Sequence, residues 1–169
     1  GAGAAAIVLS LLSPLRERFT GLAYADEKHI AVLPFSNPGN DSEFLPVAEG
    51  LMDSMTNELS NLEAAQQSLW IVPASVVRDR KVNDPTSAFH QLGATMVVQG
   101  SVERKGQTVR LTVVLIDSKR LRQIGSMQLE DRTGDLVTLQ YQAVNQLTRL
   151  MKVTAPESSR VPPGSVPPG

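Results

Sequence analysis

Two histidines, a row of acids on one candidate helix and two short basic clusters are the side chains here whose types could do chemistry. His29 opens an apolar run and His90 falls in a short helical stretch, and neither belongs to an H-x-x-x-H or H-E-x-x-H spacing. A metal would therefore need partners from distant segments, and both read as partly exposed structural histidines. Glu43, Glu49, Asp53 and Glu58 lie at the start or on the solvated side of one helix, where acids complement the positive end of the helix dipole. A general acid–base pair needs a cleft and a shifted pKa, and the pattern indicates neither. Arg78, Arg80 and Lys81, offset by Asp79, and Lys119, Arg120 and Arg122 form basic clusters. Contact with a phosphate or an anionic lipid is one reading of them, ordinary solvated turn charge the default. The polar loop Asn37-Pro-Gly-Asn-Asp41 follows an apolar strand, and in open sheets ligands bind beyond the carboxyl ends of the strands. Asn37, Asn40 and Asp41, joined by Glu49 and Arg78, are thus the candidate ligand or partner residues. No catalytic residue, cofactor or metal is assigned.

Composition narrows the classes further. Sixteen Lys/Arg stand against seventeen Asp/Glu in 169 residues, a formal net charge of −1. Proteins whose main partner is nucleic acid carry a clear basic excess, and aromatics at 4% leave little for base stacking. Cysteine is absent, which removes disulfides, cysteine–zinc sites, iron–sulfur clusters and thiol chemistry. A chain of this length is long enough for one domain that needs no metal or disulfide staple.

The two ends differ from the middle. Residues 1–15 carry no charge and are followed at once by Arg16, Glu17 and Arg18. A spanning helix needs about 20 apolar residues, so this stretch reads as the trailing part of a membrane span. Residues 1–6 also match G-x-G-x-x-A, but without the preceding strand that a dinucleotide fingerprint requires. Five of the eleven prolines fall in residues 155–169, where Val161-Pro-Pro-Gly164 recurs as Val166-Pro-Pro-Gly169. Such a segment favours polyproline II and reads as a linker. The expected division is 1–27 lead-in, 28–153 folded domain and 154–169 proline-rich linker.

Within the folded part, strand and helix patterns alternate. His29–Phe35 is an apolar strand ending in turn residues. Leu45, Ala48, Leu51, Met52, Met55, Leu59 and Leu62 recur at helical spacing over roughly 43–63. Leu69–Val72 is a second strand, Ala74–Arg80 a weaker helix, and Asn83-Asp84-Pro85 a strong helix start closed by Gly93. Three strands follow: Met96–Arg104, Gln107–Asp117 and Leu121–Leu129, with Lys105-Gly106 as a hairpin turn. A helix opening at Gly134-Asp135 ends the domain. The expectation is an α/β (mixed α+β) fold in the order β-α-β-α-β-β-β-α. A parallel first crossover and an antiparallel meander make one mixed sheet of about five strands covered by helices.

Several runs stand out together: Ile30-Ala-Val-Leu-Pro-Phe35 with Asn37 and Asp41, Ala48-Glu-Gly-Leu51, and Glu58-Leu59 with Leu62. Further along come Leu92-Gly-Ala94, Val98-Gln-Gly-Ser-Val102, Arg104, Gly106, Val109-Arg-Leu111, Leu115-Ile-Asp117 and the Leu136–Gln140 stretch. In this combination the chain resembles the TolB amino-terminal-like domain, over about residues 29–152. The resemblance departs at Pro73, where an arginine is common, and at Leu121-Arg-Gln123, where a leucine–tryptophan pair is common. It implies a non-catalytic sensory or protein-interaction domain of a membrane-anchored bacterial signalling protein. The implied output module is a serine/threonine kinase, an adenylate cyclase or a winged-helix DNA-binding domain, often with tetratricopeptide repeats. The Pro73–Val77 run looks most like the kinase-linked subgroup. The alternative is a scaffold or oligomerisation module without ligand. Expected partners are a protein or other domains of the same chain, a small ligand, the membrane through the N-terminal segment and a second copy, but not nucleic acid. The expected location is extracytoplasmic.

Overall fold

The computed structural model describes residues 27–64, 68–132 and 134–153. The expected membrane remnant and proline-rich linker lie outside the described residues, apart from Glu27. Strand β1 (Lys28–Val32) leads through a 3₁₀ turn (Ser42–Phe44) into helix α1 (Leu45–Glu63). Strand β2 (Leu69–Ile71) is followed by α2 (Ala74–Asp79) and α3 (Pro85–Leu92). The meander β3 (Met96–Lys105), β4 (Thr108–Asp117) and β5 (Arg122–Asp131) precedes α4 (Leu136–Val153). The sheet order is β2-β1-β3-β4-β5. β1 runs parallel to β2 and β3, while β3–β4 and β4–β5 are antiparallel. The expected mixed five-stranded α/β architecture is the observed one.

Local chemistry sets the element ends. The Asp84 carboxylate accepts from Ser87 N at 2.9 Å with Pro85 opening α3, and Gly93 closes it at φ 66. The Asp135 carboxylate accepts from Thr138 N at 3.1 Å at the start of α4. Gly106 turns the β3–β4 hairpin at φ 64. The last strand is irregular, as its pattern suggests: the β4–β5 register shifts between Leu115 and Ile116.

β1 stops three residues earlier than its apolar run because Pro34 has no amide to donate. The chain still follows β3: Leu33 N donates to Val98 O at 2.8 Å, Ser36 N to Gly100 O at 3.0 Å, and Val102 N to Ser36 O at 3.0 Å.

The core lies on both faces of the β1 region. Ile30, Ala31 and Val32 are all fully buried, and successive strand residues point to opposite faces. Helices must therefore cover both sides of β1. Right-handed crossovers give the same answer. The steps β1–α1–β2 and β2–α2–α3–β3 travel in opposite directions across the sheet, so α1 covers one face and α2–α3 the other. α4 packs on β4 and β5 and against α1, over the buried alternating side chains Val109, Leu111, Val113 and Leu115. On the opposite side of the meander, Arg110 bridges Glu130 at 2.6 Å and Glu103 at 3.6 Å.

Candidate functional site

The two crossovers diverge at the carboxyl ends of β1 and β2, a topological switch point where open sheets bind ligands. A cleft of about 550 Å³ opens there, within the ~300–1,000 Å³ typical of ligand pockets. Pro34 and Phe35, just past β1, form one wall. Pro46, Ala48, Glu49, Gly50, Met52 and Asp53 line it from the first turns of α1, and Arg78 from α2.

Each wall has a cause in the sequence. The backbone on both sides of Phe35 is pinned to β3 by the hydrogen bonds of Leu33 and Ser36. Its ring then lies against Gly100, where a Cβ would come within 2.7 Å of Phe35 Cε1. Pro46 sits in the first turn of α1, where a missing amide costs nothing. Glu49 and Asp53 are four residues apart and so share one face of α1.

The Arg78 guanidinium closes the rim by donating to the Asp53 carboxylate at 2.5 Å. This hydrogen bond chiefly raises the Arg78 pKa, against the opposing effect of burial and with lesser help from the charges of Asp53 and Glu49. The pair joins helices from opposite faces of the sheet across the crevice.

The five residues singled out from sequence divide into two groups. Glu49 and Arg78 meet in the cleft. Asn37, Asn40 and Asp41 do not line it; they build the turn that precedes it. Asn37 Nδ2 donates to Asp41 O at 2.7 Å, Asn40 adopts φ 50, and Asp41 Oδ1 accepts from Glu43 N at 3.0 Å. Arg104, from the far end of β3, reaches Glu43 at 3.3 Å and Asp41 at 3.9 Å and lies 5.0 Å above the Phe44 ring. The polar loop thus fixes how α1 enters, and its position beyond a strand end points to the neighbouring cleft. Asp53 and Phe35 complete the site without a signal of their own. Asp53 looks like any acid on a solvated helix face, and Phe35 like the end of a buried strand.

Several of the remaining candidates have structural partners. Arg80 Nη1 donates to Gln91 O at 3.1 Å at the end of α3, so Arg78 and Arg80 serve different elements. Arg120 pairs with Asp117 at 2.9 Å in the β4–β5 turn. His29 stacks on Trp70 at 5.7 Å and lies 3.4 Å from Glu27. His90 meets Phe89 edge-on. Among the described residues no group of three His, Asp or Glu side chains could hold a metal ion. No described helix is long and apolar enough to cross a membrane. The cleft offers an apolar floor and a rim of two carboxylates and one guanidinium, an arrangement suited to holding a ligand.

A protein of Rhizobium meliloti (strain 1021) named as adenylate cyclase 3 is 25% identical over 135 residues. The alignment takes in 78% of this chain, which spans 22% of that relative's length. Two solved structures share the fold. Lipoprotein GNA1162 from Neisseria meningitidis superposes with a TM-score of 0.50 at 23% identity, over 71% of this chain and 96% of that one. TolB from Acinetobacter baumannii gives 0.51 at 12% identity, over 75% and 29%. The likeness to TolB is one of fold, and the family assignment carries a different name from the one the sequence resembles. The model of the HilA/YgeH-like transcriptional regulator, second domain, matches residues 26–147, and the chain belongs to that family.

Proposed function

We propose that this domain is a non-catalytic input module that holds a ligand in the cleft at the carboxyl edge of β1 and so biases the signalling protein that carries it. The observation that carries this is the cleft itself: a switch-point crevice with an apolar floor, bridged by Asp53 and Arg78 from helices on opposite faces. A ligand seated there touches both helices. It can shift the parent protein only through unequal affinity for that protein's states. The names of the relatives support a module separable from its output. One is called a transcriptional regulator, of which this is the second domain, and another an adenylate cyclase, of which this chain spans a fifth. A serine/threonine kinase is a third such output, proposed from the Pro73–Val77 run. On this reading any DNA contact by a regulator that carries this domain belongs to another domain, in keeping with the net charge of −1 here. Membrane anchoring is proposed from the uncharged residues 1–15, and an extracytoplasmic location from a cytoplasmic output module placed before that span.

A thermal-shift screen of the 169-residue chain against small metabolites and short peptides tests the reading. A Cβ at Gly50 meets no atom within 4 Å, so Gly50→Phe starts a bulky side chain from open space in the cleft lining. The expected result is a ligand that raises Tm in the parent chain and not in Gly50→Phe. Among the described residues the ten-residue β5 pairs only with β4, which favours the scaffold as second reading. A stable dimer by light scattering that responds to no ligand would establish it instead.

A further inference from the structure

The charges at the cleft rim point to a class of ligand, and this inference rests on the cleft being the binding site. Three ionised side chains surround an apolar floor: Glu49, Asp53 and Arg78. Arg78 is the one cation among them, and Asp53 already occupies it at 2.5 Å. An anionic ligand would have to share the remaining guanidinium N–H groups with that carboxylate and sit beside the uncompensated charge of Glu49. The opposite ligand charge meets no such obstacle. Glu49 is exposed, makes no ion pair among the described residues, and stands one turn before Asp53 on the cleft side of α1. The rim therefore carries a net charge of −1 once Arg78 and Asp53 are paired.

A helix N-terminus usually attracts anions through its free amides. Here that attraction is blunted. Pro46 contributes no amide to the first turn, and the 3₁₀ turn before α1 is closed by Phe44 N donating to Asp41 O at 3.0 Å. Below the rim, the lining of Pro34, Phe35, Pro46 and Met52 is apolar, which suits an apolar or aromatic body. An aromatic ring attracts a cation brought near it, and Phe35 is the aromatic residue of this lining.

We propose that the cleft takes an organic cation, an amine or guanidinium on an apolar or aromatic body, with Glu49 as its counter-ion and the Phe35 wall as its platform. Glu49 is then the residue that sets charge specificity, and the Asp53–Arg78 pair holds the rim in shape.

Three probes of one size separate the alternatives: phenethylamine, 2-phenylethanol and phenylacetate. Each is titrated into the 15N-labelled 169-residue chain while the amide resonances of Phe35, Gly50 and Met52 are followed. N-acetyl-lysyl-phenylalanine amide forms a fourth arm that distinguishes a peptide side chain from a free amine. The expected result is saturable shifts at the three amides with one or both of the amines, tighter than with the alcohol, and none with phenylacetate. An exposed charge pair contributes up to ~1 kcal/mol, so Glu49→Gln should weaken amine binding about two- to fivefold. Glu49→Lys should abolish amine binding and admit phenylacetate. Circular dichroism of both variants checks that the fold is kept. Equal binding of the three phenyl probes, or tighter binding of phenylacetate, overturns the charge rule and leaves the cleft as a ligand site. Absence of shifts at the cleft with any probe overturns both.

Discussion

The ring of Phe35 lies against the bare backbone of Gly100, and this contact joins the cleft wall to the centre of the sheet. A Cβ at Gly100 would stand 2.1 Å from Thr112 O and 2.7 Å from Phe35 Cε1, closer than any side chain tolerates. Gly100→Ala must therefore part β3 from β4 or expel the Phe35 ring. Overpacking of this kind typically costs ~1–3 kcal/mol, and with backbone as one obstacle we expect a loss of about 3 kcal/mol in urea unfolding. Phe35→Ala relieves the crowding, empties the wall and should cost ~3–5 kcal/mol as a buried aromatic deletion. In the pair Gly100→Ala/Phe35→Ala the losses should be less than additive, because both changes act on one contact.

The Asp53–Arg78 pair predicts the reverse balance, a small effect on stability and a large one on the site. Their side chains are 50% and 43% exposed, and exposed ion pairs contribute ~0.2–1 kcal/mol. Arg78→Ala should change unfolding stability by less than about 1 kcal/mol, and the difference should shrink in high salt. Chemical shifts of Glu49, Gly50 and Asp53 should nonetheless move, since the rim loses its cross-link. A loss of several kcal/mol would show that the pair is a structural strut.

Three carboxylates predict the acid side of the stability profile. Asp84 and Asp135 are held below the usual range chiefly by the hydroxyls of Ser87 and Thr138, with the backbone amides of the same residues assisting. For Asp117 burial works to raise the pKa. It is overcome by the Arg120 amide and guanidinium and the Lys119 amide. A carboxylate whose folded pKa is depressed contributes stability that is complete above its unfolded pKa, about 3.9. That stability is lost as pH falls through the lower folded value. Melting temperature should therefore be flat in pH with respect to these groups from neutrality to about pH 5 and fall below about pH 4. Asp84→Asn keeps a capping oxygen and should flatten its share of the acid slope.

Glu63 predicts a change in association state. Lys28 N donates to Ser68 O and Val72 N to Ile30 O, so Ser68 and Val72 face β1. The intervening Ile71 amide consequently points to the outer edge of the sheet formed by the described residues, where Glu63 Oε2 accepts it at 3.2 Å. A charge on an edge strand opposes edge-to-edge pairing. Glu63→Ala should bare that amide, cost ~1–3 kcal/mol and promote concentration-dependent association in light scattering. A variant that stays monomeric at all concentrations would show that the edge is guarded by other means.

Much of this fold was legible locally. Helix ends at Asp84-Pro85 and Gly93, the Lys105-Gly106 turn and the alternation of β4 each follow from one residue type meeting one backbone requirement. Such signals need only neighbours a few positions away. The early end of β1 was less legible, because the apolar run continues past Pro34 while the ladder does not.

The cleft was half legible. A polar loop beyond a strand end pointed to the right edge of the sheet, yet Asn37, Asn40 and Asp41 turned out to shape the entry to α1. The sequence by itself determined the element order, the mixed sheet, the charge balance and the lack of thiol chemistry. Tertiary structure decided that Arg78 faces Asp53, twenty-five residues away, and that Phe35 rests on Gly100. Those pairings depend on which faces the two crossovers take and on the β1–β3 register, and both are set by packing the whole sheet rather than by any one segment.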